Sequence, residues 1–104
     1  MFDDLLGNLQ KQQEQMQQKL ATIMVEAESG DGAVTVQASA EMRIDNIKMD
    51  PSKLDLNDRE QVEDLIVVAV NRALDEARKA AAAETGKIFE GMMPPGGMDG
   101  FLQP

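Results

Sequence analysis

Val25-Glu26-Ala27-Glu28-Ser29-Gly30-Asp31-Gly32-Ala33-Val34-Thr35-Val36-Gln37-Ala38-Ser39-Ala40 is the stretch that decides the fold. Apolar and polar side chains alternate from Val25 to Glu28 and again from Val34 to Ala40. A period of two is the spacing of a half-buried strand. Between the two runs, Ser29-Gly30-Asp31-Gly32 has turn chemistry: glycine admits positive φ and aspartate bonds its own backbone. The next run, Glu41 to Met49, carries Met42 and Ile44 in one phase and Ile47 and Met49 in the other. A phase change inside one strand predicts a bulge near Asp45-Asn46. Asp50-Pro51 ends that strand, because the residue before proline stays extended and proline has no N–H for the ladder. Three short strands in succession make an antiparallel meander.

Helical spacing lies on either side. Upstream, Leu5, Leu6, Leu9, Met16, Leu20 and Ile23 keep a narrow apolar stripe around the polar run Gln10 to Gln15. This predicts a long helix from Phe2 to about Met24, shaped to pack against one partner helix. Downstream, Asn57 is the expected N-cap, with Glu60 completing a capping box. Val62, Leu65, Ile66, Ala69, Ala73 and Ala77 then recur at steps of three and four. Val68, Val70 and Leu74 widen the stripe in the middle. After Ala77 the sequence keeps its helix propensity but has little to bury. Gly86 is expected to weaken this second helix and Gly91 to close it. Met42 and Met49 are expected in the core. The fold class read from this order is α+β, an αβββα chain with a three-stranded meander flanked by two long helices. Residues 1–91 form the domain. Residues 92–104, rich in Gly, Met and Pro, form an expected flexible tail.

The chain has 104 residues and neither Cys nor His. A small scaffold without disulfide or metal staples often oligomerises. The two helices can cover one face of the sheet only, and open strand edges need protection. A homodimer is therefore expected. Leu9, Met16, Leu20, Val34, Val36 and Ile44 are expected in a continuous core that includes the subunit interface.

Catalysis is not expected. Without His, Cys or Tyr, few groups can work near neutral pH. Glu60, Glu63 and Asp64 read as a solvated first turn favoured by the helix dipole, and Asp75 with Lys79 as an i,i+4 ion pair. Gly30-Asp31-Gly32 lacks the third glycine, the following helix and the lysine of a phosphate loop. Ser29, Ser39 and Ser52 have no base nearby in sequence. No cofactor is implied. The longest apolar run, Leu65 to Val70, is far short of the roughly 20 residues that cross a bilayer. The acidic start lacks the basic and apolar stretches of a signal peptide. The expected location is cytoplasmic.

The ordered motifs resemble the YbaB/EbfC family. They are the Gln/Lys-rich helix Leu9 to Leu20, the turn and strand Gly30-Asp31-Gly32-Ala33-Val34-Thr35-Val36, and the step Ile47-Lys48-Met49-Asp50-Pro51. The helix Glu63 to Leu74 and the Gly/Met/Pro tail complete the set. The resemblance spans residues 1 to about 98. It implies a tweezer-like homodimer with projecting helices and a nucleoid-associated role in binding duplex DNA with little sequence preference. Family genes commonly lie beside those of a clamp-loader subunit and a recombination mediator, which implies a place near DNA repair. Many members carry Asn-Gly at the second hairpin turn, where this chain has Ser39-Ala40.

Net charge is −9, and no segment of the chain is basic. Phosphate contacts supply most non-specific affinity, so the few cations must cluster. The candidates are Lys11 and Lys19 on the first helix and Arg72, Arg78, Lys79 and Lys87 on the second. Arg78 and Lys79 are expected to matter most. The alternative for each is an ordinary helix-surface cation paired with Asp75, Glu76 or Glu84. DNA binding is accordingly expected to be weak and salt-sensitive. The second functional reading is a homodimeric adaptor that binds a DNA repair or recombination protein.

Overall fold

The computed structural model describes residues 2–92. Its elements are α1 (Phe2–Thr22), β1 (Met24–Ser29), β2 (Val34–Ser39), β3 (Arg43–Met49), a 3-10 turn (Pro51–Lys53) and α2 (Arg59–Met92). The αβββα order and the antiparallel meander β1-β2-β3 are as the alternation predicts. The expected tail beyond Met92 lies outside the described residues.

Burial along β2 follows its pattern. Val34, Val36 and Ala38 are fully buried and meet Ala69 and Ala73 of α2. The alanines let the helix lie close to the sheet. Two polar ties fix its azimuth: Ser29 Oγ donates to the Leu65 carbonyl at 2.6 Å, and Arg72 donates to the Glu28 carbonyl at 2.9 Å. Both ties run to β1, so α2 covers β1 and β2 and leaves β3 open.

The bulge falls at the expected place. Gln37 pairs with Asn46 and Ala38 with Ile44, so Asp45 is the extra residue. The bulge resets the phase, which is why Ile44, Ile47 and Met49 all lie on the side of the sheet that faces α2. Asp50 then closes β3: its Oδ1 accepts from Ser52 N at 3.0 Å and Ser52 Oγ at 2.6 Å. Those bonds hold the Asp50 carboxyl below the usual aspartate range.

Several expectations are corrected. The α2 N-cap is Asp58, not Asn57: Asp58 Oδ1 accepts from Gln61 N at 3.2 Å, while Asn57 N donates back to Asp55. An Asp-x-x-Gln start therefore replaces the expected Asn-x-x-Glu box. α2 continues through Gly86 and runs to Met92, one residue past the close expected at Gly91. A single glycine costs a helix only about 1 kcal/mol relative to alanine, too little to end a run of good helix formers. Met42 and Met49 are not core residues; both are exposed. Met49 lies on the part of the sheet that α2 leaves open. Met42 closes the second hairpin turn with φ +68. Its N–H donates to the Ser39 carbonyl at 3.0 Å. The left-handed residue that usually calls for glycine or asparagine is here a methionine.

Gly30 holds the first hairpin against α2. Its φ is +62, and a Cβ there would meet Ala33 Cβ at 3.1 Å and the Leu65 methyls at 3.2 and 3.3 Å. Strain and crowding act together. Gly30→Ala is expected to lower unfolding free energy by about 1–2 kcal/mol, as a reduced urea midpoint with unchanged slope. A midpoint equal to wild type would show that the turn relaxes freely.

α1 is different in kind. It has no fully buried residue. Thr22 Oγ1 donates to the Lys19 carbonyl at 2.7 Å, and Ile23 N to the Leu20 carbonyl at 3.2 Å, ending the helix at the sheet. Met16 and Leu20 are half-buried, while Leu9 is 51% exposed. Of the six expected core and interface residues, Val34 and Val36 are buried within this chain and Ile44 is half-buried. Leu9 is outside the core of the single chain.

Candidate nucleic-acid interface

The six cations singled out from the sequence do not form one patch. Arg78 pairs with Asp75 at 2.8 Å, and Lys79 with Glu76 at 3.4 Å. The expected Asp75–Lys79 pair is thus replaced by two i,i+3 pairs. Lys19 of α1 pairs with Glu84 of α2, and Lys87 approaches the same carboxylate at 3.8 Å. Arg72 is engaged with the Glu28 carbonyl. Among the described residues only Lys11, of the six, makes neither an ion pair nor a side-chain hydrogen bond. An exposed pair contributes little to stability. Its effect on a polyanion is larger, because a cation beside a carboxylate presents a dipole rather than a charge.

Glu84 is the unexpected residue of the set. It sits in an alanine-rich part of α2 and yet is only 5% exposed. The Lys19 ammonium beside it holds its carboxyl below the usual glutamate range, and Lys87 adds to this while desolvation opposes. Lys19 and Glu84 thereby link α1 to the half of α2 that extends past the sheet. Next to this link is an open groove of about 570 Å³ between the helices, lined by Leu9, Met16, Lys19, Ile88 and three glutamines.

The cations that sequence reasoning passed over lie elsewhere. Lys53 Nζ donates to the Asp31 carbonyl at 2.9 Å and straps the first hairpin. Arg43 and Lys48 are exposed on β3 and make no ion pair among the described residues. Their signal was present in the sequence. Once the bulge is placed at Asp45, Arg43, Asn46 and Lys48 share the face opposite Ile44, Ile47 and Met49.

No group of three or more acidic residues suited to a metal is formed among the described residues. Nor is any described helix long and apolar enough to cross a membrane. The surface chemistry on offer is ionic. Among the described residues most helix cations sit in short pairs, Lys11 and Arg59 being without one and Arg72 bonded to a carbonyl, and Arg43 and Lys48 are unpaired on an edge strand. This is a small αβββα protein of the binding class. Residues 1–92 match the YbaB/EbfC DNA-binding family, and the chain belongs to that family. A nucleoid-associated protein of Anaeromyxobacter dehalogenans is 41% identical over 88 residues, covering 85% of each chain. One from Myxococcus xanthus is 45% identical over 83 residues, covering 80% of this chain and 79% of its own. In fold, the chain is similar to an uncharacterized protein from Helicobacter pylori. The TM-score is 0.58 at 22% identity, over 86% of this chain and 99% of that one.

Proposed function

We propose that this chain is a cytoplasmic, nucleoid-associated, non-enzymatic protein that acts as a homodimer. It binds duplex DNA weakly, through phosphates and with little regard to sequence. Family membership supports the DNA partner. The state of the cations carries the finer reading: four of the six on the helices already sit beside carboxylates. Few phosphates can then be neutralised, and few counterions released. Sequence reading needs side chains that reach base edges in a groove. The αβββα frame offers no basic arm for that purpose among the described residues.

The homodimer is supported by shape. The radius of gyration is 19.7 Å, against about 13 Å for a compact chain of this length. A splayed chain with apolar side chains open on β3 fits one half of a larger core.

Fluorescence anisotropy with two unrelated duplexes, titrated across salt, tests the DNA reading. Binding is expected at low salt, nearly equal for the two, and falling by orders of magnitude toward physiological salt. Tight binding at physiological salt that separates the duplexes would overturn it. The groove between α1 and α2 favours a second reading, an adaptor that seats a helix of a DNA repair or recombination protein. Absence of DNA binding even at low salt would favour that reading.

A further inference from the structure

The outer face of the sheet, turned away from α2, is graded in charge. Its β1 row is Met24, Glu26 and Glu28, its β2 row Ser39, Gln37 and Thr35, and its β3 row Arg43, Asn46 and Lys48. Strand pairing puts these in three lines: Met24–Ser39–Arg43, Glu26–Gln37–Asn46 and Glu28–Thr35–Lys48. The glutamates lie two strands from the cations, about 10 Å at the usual strand spacing. That exceeds the Debye length of about 8 Å at physiological ionic strength. Gln37 Nε2 donates to Glu26 Oε2 at 3.3 Å, which turns one of the two carboxylates toward β2. Arg78, by contrast, has its carboxylate at 2.8 Å.

We propose that Arg43, Asn46 and Lys48 on the outer face of β3 are the main phosphate-contacting residues for duplex DNA, ahead of the cations of α2. The inference rests on the DNA reading above and says where on the chain that contact is made. Three observations converge on it. The two cations are exposed and have no ion-pair partner among the described residues. They project from a strand paired to β2 on both sides of its bulge, so little ordering of the backbone is needed on contact. Asn46 between them adds a neutral donor of the kind that commonly bonds phosphate oxygens. The opposing charge within the strand is Asp45, the extra residue of the bulge.

Asp45 gives the proposal a test that misfolding cannot imitate. The full chain is titrated against a labelled duplex at low salt, as wild type and as three variants whose thermal melts confirm folding. R43Q/K48Q is expected to bind at least about tenfold more weakly, with a salt slope smaller by about two per protomer, one for each lost phosphate contact. R78Q/K79Q is expected to lower affinity by less than about threefold, since cations already held by Asp75 and Glu76 make no phosphate contact for the variant to remove. D45N is expected to bind more tightly than wild type. Equal or greater loss in R78Q/K79Q, or no loss in R43Q/K48Q, overturns the proposal. Should R43Q/K48Q fail to fold, K48Q and D45N decide by moving affinity in opposite directions, and any other result counts against the β3 site. A wild type that binds no duplex at low salt defeats the DNA reading itself, a result distinct from a binding wild type with unaffected β3 variants.

Discussion

Ile47→Asp combined with Met49→Asp is expected to turn the protein from a dimer into a folded monomer. Ile47 and Met49 are 42% and 49% exposed although they lie on the same side of the sheet as buried Val36 and Val34, their partners across the ladder. The helix that buries those valines is tied to β1 and stops short of β3. Something else must cover that side if the apolar area is to leave water, and a second copy is the occupant we propose. Each large apolar side chain that becomes fully buried contributes about 1.5–3 kcal/mol. Aspartates there would remove that contribution and add unpaired charge, twice over in a symmetric dimer. At about 1.4 kcal/mol per decade, dissociation should rise by more than a hundredfold. Sedimentation velocity at micromolar concentration should show wild type as a dimer and the variant as a single chain, with matching circular dichroism. A variant that stays dimeric would place the interface elsewhere, and a monomeric wild type would remove the homodimer from the proposed function.

Ala73→Leu should be the most damaging of the conservative core changes. Ala69, Ala73 and Ala77 are all fully buried along one line of α2, and Ala73 joins the cluster formed by Val34, Val36 and Ala38. Small side chains set the distance from helix to sheet. A leucine has no room unless α2 moves outward, which would strain the Ser29–Leu65 and Arg72–Glu28 bonds. Overpacking of this kind costs about 1–3 kcal/mol, and the coupled loss of those bonds places the expected value near the upper end. The same substitution at exposed Ala82, farther along α2, should fall within about 0.5 kcal/mol of wild type. Urea unfolding of both variants makes the comparison. Equal midpoints would mean that α2 sits loosely on the sheet.

Much of this architecture was legible from local pattern. Alternation at Val34-Thr35-Val36-Gln37-Ala38 predicted a strand with one buried face, and burial follows it. The change of phase between Ile44 and Ile47 predicted a bulge, and Asp45 is the extra residue. The helix cap was misplaced by one residue because Asn57 and Asp58 are both good caps. The choice turned on which side-chain oxygen reached a free N–H, and Asp58 Oδ1 is the one that accepts from Gln61 N. Met49 has the phase of the core side of the sheet, but the sequence does not say how far a helix extends across that side, and Met42 falls in the hairpin turn before β3 begins.

The functional surface was less legible. Lys19, Arg78, Lys79 and Lys87 are candidate contacts by sequence, with pairing to Asp75, Glu76 or Glu84 as the alternative, and each has one of those carboxylates close by. The pairs within α2 were readable in principle, being three residues apart. The pair between Lys19 and Glu84 was not, since 65 positions separate them.

The sequence alone determined the element order, the bulge and the buried row of β2. These depend on backbone hydrogen bonding and on whether a side chain can leave water, and both repeat with a short local period. Only the tertiary structure decided that α2 covers two strands of three, that Glu84 is nearly buried beside Lys19, and that Arg43 and Lys48 have no ion-pair partner among the described residues. Those outcomes depend on where a helix crosses a sheet and on which charges come within a few ångströms through space. Coulombic attraction and steric exclusion act over those distances regardless of separation along the chain.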